Sequence, residues 1–118
     1  MTELPLTITD AGQAIRSGEL SSEELTRACY DVADRLDATL GIYVVRYDDT
    51  ALAAARNADK ELASGLDRGP MHGIPLGVKD MIACKEGQTT ACSVVFDRIS
   101  TVVSTPQLSA ACVKREPS

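Results

Sequence analysis

"GPMHGIPLGVKDM", residues 69–81, decides how this chain is read. It sets Gly69, Pro70, Gly73, Pro75 and Gly77, together with the only histidine, His72, around a short apolar run that ends on Lys79 and Asp80. The run "IPLGVKD", 74–80, has the residues of a short strand, although Pro75 lacks an amide donor and Gly77 lacks a side chain. Local rule-breaking of this kind marks a functional or tightly packed backbone.

A lysine at the end of an apolar strand can be a reactive group. Its ordinary pKa of about 10.4 makes it useless as a base at neutral pH, and burial or nearby positive charge is needed to lower that value. A neutral amine could then take the proton of a serine hydroxyl, the Ser-Lys variant of nucleophilic catalysis. The residues alone leave a second reading open: Lys79 leaves the strand for solvent and pairs with Asp80, the commoner fate of a lysine. His72 reads as a turn residue bonded to local backbone.

Upstream, "SSEELTRACYDVADRL" places Ser21 and Glu24 in capping-box spacing and Leu25, Ala28, Val32, Ala33 and Leu36 at helical intervals. "TDAGQAIRSGE" predicts a shorter helix capped by Thr9 or Asp10 and ended near Gly18. "GIYVVRY", from Gly41, is β-branched and aromatic, and predicts a strand. "DDTALAAARNADKELASG" predicts a helix capped by Asp49 or Thr50, with Leu52, Ala55, Ala58 and Leu62 on one face and Gly65 as the stop. The expected order is helix, helix, strand, helix, then the strand that ends at Lys79. Beyond Val94 no clean period is visible.

The 118 residues fit one domain, and 44% apolar with 25% charged residues is an ordinary globular composition. Ala, Leu and Val dominate the apolar set, with one Phe and no Trp, so the core should be thin. A net charge of −5 without a basic cluster or aromatic platform argues against a nucleic-acid surface. "MTELPLTITD" has no basic start and no apolar core, and no window reaches a spanning length, so a cytoplasmic protein without a membrane segment is expected. Cys29, Cys84, Cys92 and Cys112 form no C-x-x-C pair, and His72 is not spaced to join them, so reduced thiols and no metal site are expected.

"GPMHGIPLGVKDMIACKEGQTTACS", residues 69–93, resembles the amidase signature family, whose matching stretch runs G-P-L-H-G-I-P-V-G-V-K-D before a T-T-A-G-S-like run. The likeness extends over about residues 6–97. It implies an α/β fold, a mixed β-sheet core covered by helices, of which residues 1–97 would be an incomplete N-terminal portion. It also implies that Lys79 is the general base of a Ser-cisSer-Lys triad that cleaves carboxamide C–N bonds through an acyl-enzyme, without metal or organic cofactor. Gly73, Pro75 and Gly77, with Asp80 beside them, would be structural, letting the lysine strand pack closely. Cys92 departs from the family's usual Gly.

Family members are several times longer and carry both serines downstream, so this chain is expected to hold the lysine alone and to be inactive by itself. After the T-T-x-x-S run they continue with a helix of the type D-A-x-V-V-x-x-L-x-x-A-G-A. Residues 104–118, "STPQLSAACVKREPS", can be written in permitted codons that spell DAAVVRGLREAGAI from the third base. Residues 98–118 are therefore expected to be a divergent, frameshifted tail, poorly ordered.

Three functions are compatible with these residues. The first is a fragment of an amidase acting on a small-molecule amide. The second is a fragment of a glutamyl-tRNA(Gln) amidotransferase A subunit, which releases ammonia from glutamine alongside partner subunits and tRNA. The third, from another class, is a non-enzymatic helical interaction module.

Overall fold

The computed structural model describes residues 3–82, 90, 91 and 93. The frameshifted tail expected at 98–118, and Cys84, Cys92 and Cys112, lie outside the described residues. Three helices follow one another: α1, Ile8–Ser17; α2, Ser22–Leu40; and α3, Asp48–Ala63.

Each helix starts where its first amides find acceptors. At α1 the cap is Thr7, ahead of the expected Thr9 or Asp10, because its side chain accepts from the Asp10 amide at 3.0 Å. Asp10 in turn accepts the Thr7 hydroxyl. The capping box of α2 forms as expected: Ser21 accepts from the Glu24 amide, and Glu24 accepts from the Ser21 amide. Tyr47 precedes α3 without a side-chain cap, and the expected caps Asp49 and Thr50 lie inside the helix. There Asp48 and Asp49 supply negative charge to the positive end of the helix dipole. Gly18 and Gly41 close α1 and α2 in the left-handed conformation.

No strand forms among the described residues, which corrects the expected order at 41–47 and 74–80. A β-prone composition says only that a segment suits a pleated surface; the ladder itself needs a neighbour. The 41–47 segment turns back on α2 instead, with the Ile42 and Tyr43 amides donating to Asp37 Oδ1 at 2.7 and 3.0 Å. Among the described residues the backbone of 75–78 makes no hydrogen bond to another segment. The described part of the expected α/β fold is thus its helical part alone.

The core is as thin as the composition suggests. Ala11, Ile15 and Leu25 are buried together, with Leu4, Leu20, Cys29, Leu62 and Ile74 packed around them. α2 and α3 pack face to face, burying Ala33, Ala51 and Ala55. Leu36, expected on the same face of α2, remains exposed.

Candidate active-site segment

The segment 66–82 returns over the three helices, and its first half is held at three points. Arg16 of α1 supplies the first. Its Nε and Nη2 donate to the two Asp67 oxygens at 2.7 and 3.0 Å, Nη2 also reaches the Gly69 carbonyl, and Nη1 donates to the Gly12 carbonyl at 3.1 Å. The Arg16 guanidinium and the Gly69 amide pull the Asp67 carboxyl down to about 2. Gly12 makes room for this approach: a Cβ there would stand 3.0 Å from the Pro70 carbonyl oxygen.

His72 supplies the second anchor. Its side chain is almost wholly buried, Nδ1 accepts from the Arg68 amide at 3.0 Å, and Nε2 donates to the Ala58 carbonyl of α3 at 3.0 Å. Both ring nitrogens are thus used by backbone, one as acceptor and one as donor, which is the pattern of a neutral imidazole. The expectation of a local turn histidine holds. The histidine also ties the turn to α3.

Gly73 is the third anchor. It has a φ of +77°, and a Cβ would meet Ser22 Cβ and Oγ at 3.1 Å and Ala58 Cβ at 3.6 Å. Ser22, 1% exposed, donates its hydroxyl to the Gly73 carbonyl. The Ser22 and Glu23 amides donate to the Asp59 carboxylate at 2.7 and 3.1 Å, so α3 caps the start of α2. One junction therefore joins α2, α3 and the glycine turn. Asp59 and Arg16 carry no mark in the sequence that would have singled them out, since the partners that tie them to other segments lie 36 to 53 positions away.

Beyond Ile74 the segment changes character. Pro75 is half-buried and lines, with Gly73 and Ile74, a shallow groove of about 30 Å³ between α2 and α3. Gly77 and Lys79 are exposed, and a Cβ on Gly77 would meet nothing within 4 Å among the described residues. Lys79 forms no ion pair there either. Asp80, 9% exposed, does not pair with it. Its Oδ1 accepts from the Thr90 amide at 2.9 Å, its Oδ2 accepts the Thr90 hydroxyl, and its backbone carbonyl accepts from the Ala91 amide at 3.1 Å. The surface Lys79–Asp80 pair open at the residue level does not form.

The stretch that holds this glycine turn and Lys79 lies inside a match to a known protein family. The family model described as Amidase matches residues 24–104. The chain belongs to the amidase family. The A subunit of glutamyl-tRNA(Gln) amidotransferase from Xanthobacter autotrophicus is 43% identical over 82% of this chain and 19% of its own length. A Mycobacterium tuberculosis protein that carries the name amidase AmiD is 38% identical over 77% of this chain and 19% of its own. The chain thus spans about a fifth of the length of the curated relatives it matches.

Among solved structures, the crystal structure of PAM12A superposes with a TM-score of 0.68 at 35% identity, over 75% of this chain and 19% of that one. A chain from a structure titled for a vestigial protein complex and the origins of an s-triazine catabolic enzyme superposes with a TM-score of 0.73, over 92% of this chain and 25% of that one. At 19% identity it shares the fold. Among the described residues no helix is long and apolar enough to cross a membrane, and no three His, Cys, Asp or Glu side chains group to hold a metal.

Proposed function

We propose that this segment supplies the general base of a carboxamide hydrolase, with Lys79 as that base. In the proposed reaction the neutral Lys79 amine takes a proton from a bridging serine, which takes one from the nucleophilic serine as that attacks the amide carbonyl. Neither serine is among the described residues. The proposal assigns both to sequence outside this chain, and expects no amide hydrolysis from the 118 residues by themselves. The exposed amine would acquire its low-dielectric surroundings only when a sheet neighbour covers 75–79. The observation that carries the reading is the placement of Lys79: six residues beyond the Gly73 junction, with no carboxylate partner among the described residues, inside a family-matched stretch.

A second reading is favoured by the more identical of the two relatives named above, an amidotransferase A subunit. The substrate would then be the glutamine side-chain amide, with released ammonia passed on and with partner subunits and tRNA involved. Chimaeras separate the two. Residues 6–97 of this chain replace the matching part of the Xanthobacter protein or of AmiD, and hydrolysis of glutamine and of simple aliphatic amides is measured. A working chimaera of either kind supports the base; glutamine hydrolysis confined to the first supports the amidotransferase reading. Two folded but inactive chimaeras would count against both.

A further inference from the structure

His72 is the only histidine of the chain, and the proposed reaction gives it no task. Its side chain, 1% exposed, is held between the turn that carries it and α3. Nδ1 accepts from the Arg68 amide at 3.0 Å, and Nε2 donates to the Ala58 carbonyl at 3.0 Å. These two bonds respond differently to a proton. A proton on Nδ1 turns that nitrogen into a donor facing the Arg68 N–H, so the first bond must break. Nε2 carries its hydrogen in both forms of the ring and keeps Ala58.

The charged groups around the ring support the same asymmetry. From α3, Glu61 places Oε2 3.8 Å from Nε2, and Arg68 donates to both of its oxygens, which holds the Glu61 carboxyl below its ordinary value. In the turn itself, Asp67 is held at about 2 by Arg16 of α1. Both carboxylates are therefore still ionised in the range where histidines gain charge, and a charged ring is attracted to them. At the same junction the Asp59 carboxylate accepts from the Ser22 and Glu23 amides, and α2 contributes the uncharged Ser22 hydroxyl, which donates to the Gly73 carbonyl.

We propose that His72 is an acid-opened latch: protonation at Nδ1 releases the Arg68 end of the glycine turn while the ring remains on α3. The Arg16 clamp on Asp67 and the Ser22 bond to Gly73 do not involve the ring, so the opening is confined to the residues between them. The latch stands whether or not Lys79 is a base, and its test is separate from the chimaeras.

With one imidazole in the chain, a long-range proton–nitrogen NMR spectrum reads the tautomer and charge of His72 directly. In the isotope-labelled 118-residue chain, that spectrum and backbone amide hydrogen exchange are followed from about pH 8 to about pH 4, where the Arg16–Asp67 clamp is intact. Exchange rates are divided by those of the unfolded chain at each pH. Protection of the Arg68 amide should fall by about three- to tenfold, the weight of one hydrogen bond, in step with charging of the ring. The Gly69 amide, which donates to Asp67, should keep its protection. His72→Asn offers Arg68 a side-chain oxygen that takes no proton, and there the Arg68 amide should hold its protection across the whole span. An Arg68 amide that stays protected while the ring charges overturns the proposal. So does a ring that stays neutral until the chain unfolds, and so does an equal loss in His72→Asn, which would report general loosening.

Discussion

Gly73 and Gly77 belong to one breaker-rich segment. Gly73 sits at a positive φ with Ser22 packed 3.1 Å from where a side chain would begin, while Gly77 has open space around it among the described residues. The same contrast separates 66–74, fastened by Arg16, His72 and Ser22, from 75–78, which no backbone bond ties to another described segment. The first half is explained by three helices that lie before it in the chain. Among the described residues, the second half meets those helices only where Pro75 lines the shallow groove between α2 and α3.

The contrast can be broken most forcefully at Gly73. Gly73→Val forces a β-branched residue into a left-handed conformation and into Ser22, and should cost about 2–5 kcal/mol in urea unfolding. Asp59→Ala comes next. It strips the acceptor from the Ser22 and Glu23 amides at a half-buried junction, with an expected loss of about 1–3 kcal/mol by the same measurement.

The Arg16–Asp67 clamp sharpens the comparison through pH. Its folded-state carboxyl is held at about 2, below the ordinary value, so its stabilisation is present above about pH 4 and is lost as pH falls towards 2. Asp67→Asn should remove that acid-sensitive component from thermal unfolding measured between those limits. The smallest effect belongs to Gly77→Ala, within about 0.5 kcal/mol of the parent. A Gly77→Ala loss as large as that of Gly73→Val would erase the distinction between the two halves.

What is legible in the sequence follows from how local each cause is. The Ser21–Glu24 box, the stop at Gly18 and the alanine face of α3 depend on neighbours within a turn or two, and each forms. Thr7 and Thr9 are alike as capping residue types, and it is the Thr7 side chain that reaches the Asp10 amide. The strands expected at 41–47 and 74–80 rest on β-prone residues, but a strand is a relation between segments, and neither stretch pairs with another among the described residues. Asp59, Arg16 and Thr90 act over 10 to 53 positions. One-dimensional spacing carries no trace of such partners. Lys79 is legible only through the motif around it, and the structure adds that the carboxylate next to it in sequence, Asp80, accepts from Thr90.

The most direct test of Lys79 as the base is Lys79→Ala in whichever chimaera hydrolyses an amide. The expected result is a fall in kcat of about 10²–10⁴-fold, the usual weight of a general base, in a variant whose circular dichroism matches that of the parent chimaera. A Lys79→Ala chimaera that keeps the parent's kcat would contradict it.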